Sequence, residues 1–175
     1  YSAVVTSGEL SWRALHDRSP AFVKSGSRFF YLGPDRSRGV VEGLDLEEVK
    51  TLSKADFIVN TGAQGNQPDA GRFEPLLREA VERALPMLCA NPDQIAVRGG
   101  VTGISAGAIA RLYEKIGGGV IYFGKPHAPV YEACFRRYPE IPRSRILMLG
   151  DGLATDIKGA NQAEIDSVFL SSGIH

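Results

Sequence analysis

Short apolar segments rich in β-branched and aromatic residues alternate with amphipathic helical patterns along almost the whole chain. Residues 28–32, 56–60 and 87–90 are strand-like, and residues 73–84 between the last two carry apolar side chains on one helical face. This alternation is typical of βα units built around a mainly parallel sheet. The sequence therefore predicts a fold of the α/β class.

The last third of the chain shows the alternation most regularly. The predicted elements there are a strand at 120–123, a helix at 130–138, a strand at 146–149, a helix at 155–163 and a strand at 168–171. Consecutive strands joined by helices predict one parallel sheet covered on both faces. Lys125 and Asp151 each follow a strand end, and ligands of such sheets bind at the carboxyl ends of the strands. We therefore expect both side chains at one edge.

The composition is that of an ordinary soluble globular protein. The 175 residues include 20 basic and 20 acidic side chains, and 43% are hydrophobic, which excludes disordered and fibrous classes. The scattered basic residues leave no footprint for nucleic acid. No apolar run approaches the ~20 residues of a membrane span, and no signal pattern opens the chain. We expect a cytoplasmic protein without membrane contact, with Cys89 and Cys134 as reduced core residues.

Several segments carry weaker signals. Residues 2–6 resemble a strand, residues 44–52 suit a short helix or a loop, and residues 91–100 read as a loop that begins with the turn Asn91-Pro92-Asp93. The glycines at 99, 100 and 103 suggest a nucleotide-binding turn. Because no G-x-G-x-x-G fingerprint is present, a structural helix entry is favoured over a nicotinamide-dependent oxidoreductase.

Asp151 lies between Gly150 and Gly152, directly after an apolar strand. The glycines allow the backbone to bend sharply and leave the carboxylate exposed at the sheet edge. Helix capping and surface ion pairing explain such a position poorly, so Asp151 is predicted to bind Mg²⁺. Asp156 falls in the first turn of the next helix, where it would cap that helix or hold a metal-bound water.

Lys125 stands between Gly124 and Pro126 at the end of the preceding strand. Mg²⁺ completes its coordination with substrate phosphate oxygens, and a lysine at the neighbouring strand end would supply positive charge for that phosphate. A lysine at one strand end, an aspartate at the next and an aspartate on the following helix form a far more specific pattern than any member alone. His127 receives no role.

The run Gly124-Lys125-Pro126-His127, the stretch Leu149-Gly150-Asp151-Gly152-Leu153-Ala154-Thr155-Asp156 and the closing Leu170-Ser171-Ser172-Gly173 closely resemble the third and fourth motifs of the haloacid dehalogenase superfamily. The region 28–119 resembles the α/β cap of its class IIA, whose members include nitrophenylphosphatase-like and N-acetylglucosamine-associated phosphatases. Asn91-Pro92-Asp93 fits that pattern.

The resemblance implies specific roles. Lys125 would contact phosphate and neutralise its charge, Asp151 would bind Mg²⁺, and Asp156 would support the metal shell. Asn91 and Asp93 would bind substrate. The expected architecture is a core segment at 1–22, a class IIA cap at 23–119, and the C-terminal half of a Rossmann-like three-layer core at 120–175.

The superfamily nucleophile lies in an Asp-x-Asp motif, and no such motif occurs in these 175 residues. The chain therefore resembles the C-terminal portion of a longer phosphatase that hydrolyses small phosphorylated metabolites through an aspartyl-phosphate, and the chain alone is expected to be inactive. The alternative is a non-catalytic phosphate-binding or regulatory module of the same fold. Caps of this class can form subunit interfaces, so a homo-oligomer through the cap is a further expectation.

Overall fold

The computed structural model describes residues 3–19, 26–65, 67–98 and 100–172. Its helices are α1 Ser7–His16, α2 Glu74–Glu82, α3 Ala106–Lys115, α4 Ala128–Arg137 and α5 Lys158–Gln162. Its strands are β1 Arg28–Leu32, β2 Glu47–Val49, β3 Phe57–Asn60, β4 Met87–Cys89, β5 Ile95–Arg98, β6 Val101–Ile104, β7 Val120–Tyr122, β8 Leu147–Gly150 and β9 Asp166–Phe169. Short 3₁₀ turns span Asp35–Val40, Leu52–Lys54, Gly71–Phe73 and Arg143–Arg145, and a π turn spans Leu153–Ile157.

The largest sheet contains five parallel strands in the order β2-β1-β3-β4-β7. The neighbour of β1 on one side is β2, and on its other side β3, β4 and β7 follow in that order. The strand order thus reverses between β1 and β3, and this reversal is a topological switch point. Helices cover both faces, which confirms the predicted α/β class and its Rossmann-like layering.

Side chains alternate between the two faces of β3, and each face has its own apolar core. Ile58 packs with α2 and α3 in a cluster that includes Leu77, Met87, Ile109 and Tyr113. Phe57 and Val59 pack on the opposite face in a cluster that includes Leu10, Leu15, Phe29 and Leu88. Burial on both faces explains why β3 is uniformly apolar up to Asn60.

The prediction of one sheet for the last three strands is wrong. β7 pairs with β4 in the five-stranded sheet, and β8 pairs with β9 in a separate parallel pair. Helical crossovers fix the parallel direction but not which sheet a strand joins. Lys125 and Asp151 therefore follow strands of two different sheets.

Three other segments and one cysteine differ from their predictions. In the segment 44–52, residues Glu47–Val49 form strand β2, where a short helix or a loop was expected. Strands β5 and β6 pair as an antiparallel hairpin, with Ile95 opposite Ile104, where a loop up to residue 100 was expected. Residues 3–6 belong to no strand within the described ranges, and Ser2 lies outside them. Cys89 is buried and free as predicted, whereas the free Cys134 is exposed and not the core residue that was predicted.

Among the described residues, none of the helices combines the length and the apolar character that a membrane crossing requires.

Tyr113→Phe tests a buried hydrogen bond beneath α3. The Tyr113 hydroxyl, fully buried, donates to the carbonyl oxygen of Leu85 at 2.6 Å, and burial raises the pKa of Tyr113 to about 12. Removing this donor should lower the free energy of unfolding by about 1–2 kcal/mol in a urea titration. Tyr122→Phe is the control, because the Tyr122 hydroxyl donates to the carboxylate of the exposed Glu114. Equal losses in the two variants would contradict the assignment.

Candidate functional site

Three segments meet at the carboxyl edge of the five-stranded sheet. They are the start of α1 at Ser7, the loop after β4 at Pro92 and the loop after β7 at Gly124. Gly124 has a φ of 126°, and a Cβ there would lie 2.7 Å from Pro92 Cδ and 3.1 Å from Ser7 Cβ. Only glycine meets both the conformational and the steric requirement. The chain thereby enters Lys125 through a closely packed junction.

Lys125 is paired with a buried carboxylate. Its Nζ lies 2.5 Å from Asp156 Oδ1, and the Asp156 side chain is only 4% exposed. Oδ1 has no hydrogen-bond partner within the described ranges, so the charge of Lys125 is what compensates its burial. A buried carboxylate without a counterion is strongly destabilising. The ion pair therefore fixes the Lys125 ammonium beside the turn that follows β8.

The other carboxylate oxygen of Asp156 organises that turn. Asp156 Oδ2 accepts a hydrogen bond from the Gly152 amide at 3.0 Å. A Cβ on Gly150 would lie 2.3 Å from Asp156 Cβ, and one on Gly152 would overlap Thr155 Oγ1. The two glycines that flank Asp151 are thus required for the chain to fold around Asp156. This packing gives the Gly-Asp-Gly pattern a structural reason as well as a chemical one.

Asp151 stands directly after β8 and is half-buried. Both oxygens of Asp156 are committed to Lys125 and Gly152, which leaves Asp151 as the carboxylate of this turn that suits a metal. The described residues contain no group of three or more His, Cys, Asp or Glu side chains able to hold a metal ion. One carboxylate fits Mg²⁺, which takes one or two protein carboxylates and completes its shell with water and phosphate oxygens.

Asn91 and Asp93 shape the loop after β4. Asn91 Nδ2 donates to Ser105 Oγ at 3.2 Å, and Asn91 Oδ1 accepts from the Asp93 amide at 3.1 Å. The Asp93 carbonyl accepts from the Gly107 amide at 3.0 Å, which ties the loop to the start of α3. Residues Ser7, Asn91, Asp93 and Lys125 line one cavity of about 580 Å³, called the lysine cavity below.

The structure thus brings Lys125 and Asp156 into contact, places Asp151 beside them, and puts Asn91 and Asp93 on the lysine cavity. The roles predicted for these residues stay predictions, and Asp156 reaches the Asp151 turn through the Gly152 amide. His127 stacks on Tyr122 with ring centroids 4.5 Å apart, and burial lowers the pKa of His127 below its usual range.

Two residues that contribute to the site were assigned no role from the sequence. Ser7, in the run Thr6-Ser7-Gly8, lines the lysine cavity. Tyr131 supports the turn from below: its hydroxyl donates to the Asp156 carbonyl at 3.5 Å, and a Cβ on Gly159 would overlap it. Burial raises the pKa of Tyr131 to about 12, so the hydroxyl stays protonated as a donor. No local motif marks Tyr131, which is one aromatic residue on an amphipathic helix.

Known hydrolases are similar to this chain in sequence and in fold. The HAD-hydrolase-like family model matches residues 122–175. A hydrolase of the haloacid dehalogenase-like family from Brucella suis 1330 is 36% identical with a TM-score of 0.88, and the match covers 100% of this chain and 66% of that one. A search of curated proteins gives no match.

Two further structures share the fold at lower identity. A 4-nitrophenylphosphatase from Thermotoga maritima is 24% identical with a TM-score of 0.71, over 99% of this chain and 63% of that one. A glycerol phosphate phosphatase from Mycobacterium tuberculosis, solved in complex with magnesium, is 22% identical with a TM-score of 0.68, over 98% of this chain and 50% of that one. The chain therefore spans roughly half to two thirds of the length of these relatives.

Proposed function

Because this chain belongs to the haloacid dehalogenase-like hydrolase family, we propose that it forms the metal- and phosphate-binding part of a magnesium-dependent phosphatase of small phosphorylated metabolites. The motifs around Lys125 and Asp151 predicted this family, and the comparisons confirm it. The observation that carries the proposal is the ion pair between Lys125 and the buried Asp156. Asp156 follows Asp151 closely in the sequence, in the turn after β8.

Lys125 supplies a fixed positive charge for the phosphate. The Lys125 side chain is 44% exposed, and its ammonium keeps donors for a ligand while Asp156 holds it in place. A lysine that is already positioned needs little reorganisation when charge develops on a transferring phosphoryl group. Its role is to bind the phosphate and to neutralise its charge.

Asp151 would hold Mg²⁺, and the bound ion would supply further charge neutralisation at the phosphoryl oxygens. The magnesium complex of the Mycobacterium tuberculosis glycerol phosphate phosphatase supports this choice of ion. Asp156 acts as a positioning residue, because it holds both the Lys125 ammonium and the amide next to Asp151. Asn91 and Asp93, which also line the lysine cavity, would contact the substrate there.

The aspartate that attacks phosphorus in the family mechanism, and forms the aspartyl-phosphate, belongs to an Asp-x-Asp motif that is absent from these 175 residues. We therefore propose that this chain alone binds phosphate but does not hydrolyse phosphate esters. A segment with that motif would have to supply the nucleophile. The division into a core segment, a class IIA cap and a half-core stays a prediction, and β7 joins the sheet of the cap region.

The missing nucleophile also favours a second candidate function, a non-catalytic phosphate-binding or regulatory module. Adding the missing core segment separates the two candidates. Hydrolysis of 4-nitrophenyl phosphate that appears only with the segment supports the phosphatase, whereas phosphate binding without hydrolysis in the complete protein supports the module. Turnover by the 175-residue chain itself would contradict both.

Lys125→Ala tests the phosphate site in the chain as it stands. We expect inorganic phosphate to bind in the presence of Mg²⁺ and the variant to weaken this binding about tenfold in isothermal titration calorimetry, because a charge-assisted contact is lost. Lys115→Ala is the control, since Lys115 is exposed in the last turn of α3. Circular dichroism must show that the variant is folded, because Asp156 loses its counterion. Unchanged affinity in folded Lys125→Ala would contradict the proposed function.

A further inference from the structure

A second cavity opens at the switch point of the five-stranded sheet, between the ends of β1 and β3. Its volume is about 630 Å³, and we call it the switch-point cavity. Small-molecule sites typically measure about 300–1,000 Å³ and occur at such switch points. The walls carry hydroxyl and amide groups from Ser37, Thr61, Asn91 and Ser105. The size and the polar lining fit a small hydrogen-bonding ligand.

The switch-point cavity lies next to the lysine cavity. Ser7 and Asn91 line both this cavity and the lysine cavity. Both residues sit at the junction where Gly124 packs against Ser7 and Pro92. A molecule that occupies both cavities would have to pass Ser7 and Asn91, the two residues that the cavities share.

Arg36 provides a positive charge on the wall of this cavity. Within the described ranges, no carboxylate forms a salt bridge with Arg36, although its neighbour Asp35 is close in sequence. Asp35 pairs with Arg38 at 3.0 Å, and Arg38 also pairs with Glu48 at 2.6 Å. Glu9, also on the wall, pairs with Arg13 at 2.6 Å. The guanidinium of Arg36 thus keeps its full donor set for an anion.

We propose that the switch-point cavity binds the leaving group of the phosphate ester held at Lys125, and that Arg36 there binds a second anionic group of the substrate. This inference rests on the proposed function. The substrate class is then a small phosphate ester with a carboxylate or a second phosphate at the end opposite the scissile group. A guanidinium binds either anion through paired hydrogen bonds.

The chain contains a built-in reporter for this cavity. Trp12 is the only tryptophan in the sequence, and it lines the switch-point cavity. Its indole Nε1 donates to the Glu42 carbonyl at 2.9 Å, which holds the ring in place. A ligand in the cavity will change the fluorescence of Trp12. Inorganic phosphate, which occupies only the Lys125 side, will leave it unchanged.

The experiment titrates the 175-residue chain with three ligands in the presence of Mg²⁺, following calorimetry and Trp12 fluorescence. 3-Phosphoglycerate ends in a carboxylate, glycerol 3-phosphate ends in a hydroxyl, and inorganic phosphate has no leaving group. We expect 3-phosphoglycerate to bind about tenfold more tightly than glycerol 3-phosphate and to change the fluorescence. Fructose 1,6-bisphosphate compared with fructose 6-phosphate measures the same preference for a second phosphate.

Arg36→Gln should abolish these preferences and leave the affinity for inorganic phosphate unchanged. Arg137→Gln is the matched control, because it removes the same charge from an exposed arginine at the end of α4. Equal affinities for charged and uncharged ligands, or preferences that survive Arg36→Gln, would overturn the inference while phosphate binding still supports the proposed function. If inorganic phosphate fails to bind, the chain is titrated with glycerate, which carries the carboxylate but no phosphate. A change in Trp12 fluorescence that depends on Arg36 then supports an anion site in the switch-point cavity without the phosphate site. If glycerate causes no such change, both the proposed function and this inference are overturned.

Discussion

Asp151→Asn should abolish Mg²⁺-dependent hydrolysis of phosphate esters, with a fall of about 100-fold or more in kcat/KM. The expected reason is local. Asp156 is committed to Lys125 and Gly152, so the Asp151 turn has no second carboxylate available to replace the lost ligand. An amide oxygen carries no negative charge and binds Mg²⁺ weakly. The assay requires the protein with a complete core, in which an Asp-x-Asp segment is present, and measures 4-nitrophenyl phosphate turnover against Mg²⁺ concentration.

Asp166→Asn is the control for this substitution. Asp166 is exposed at the start of β9, so its substitution removes the same charge without changing the turn after β8. A second readout is independent of turnover: the 175-residue chain should lose its calorimetric Mg²⁺ response in Asp151→Asn and keep it in Asp166→Asn. Full Mg²⁺-dependent activity in Asp151→Asn would show that the metal lies elsewhere.

Gly107→Ala should destabilise the fold more than any ordinary surface substitution. A Cβ on Gly107 would lie 1.9 Å from the carbonyl oxygen of Pro92, which is backbone and has no rotamer to change. Either α3 or the loop after β4 must move, and the hydrogen bond from the Gly107 amide to the Asp93 carbonyl is lost with that movement. We expect the free energy of unfolding to fall by about 3 kcal/mol in urea titrations.

Gly119→Ala is the matched control, because no atom lies within 4 Å of the position where its Cβ would be. It should change stability by less than about 0.5 kcal/mol. Gly107→Ala should also weaken ligand binding at the lysine cavity, since Asn91 and Asp93 move with the loop. A folded variant of wild-type stability would mean that the loop and helix can separate at little cost.

The sequence predicts those parts of the fold and site that local patterns encode. β3 was recognised in residues 56–60 from their β-branched and aromatic side chains, and α2 from its apolar face. Lys125, Asp151 and Asp156 were recognised because glycine, lysine and aspartate occur at fixed distances from strand ends. The contact between Lys125 and Asp156 was not predicted, because it joins segments that follow strands of two different sheets.

Long-range pairing was not predictable in the same way. The residues of β7 do not show whether this strand pairs with β4 or with β8. The pairing that forms depends on the edge of β4, which is distant in the sequence. The β5–β6 hairpin was hidden by its glycines, which read as loop residues although Gly100, with a φ of 77°, closes a turn between two strands. Tyr131 and Arg36 gain their positions from tertiary packing, which no spacing rule describes.

The assignment of β7 to the larger sheet has a mechanical consequence. Lys125 follows the edge strand of that sheet, whereas Asp156 belongs to the turn after β8 in the smaller one. A hinge rotation that separates the two sheets pulls the ammonium away from a carboxylate that is otherwise sealed from water. Separating the two charges would leave the buried Asp156 carboxylate without its counterion, which costs free energy. The ion pair therefore favours the same arrangement of the two sheets that assembles the phosphate site.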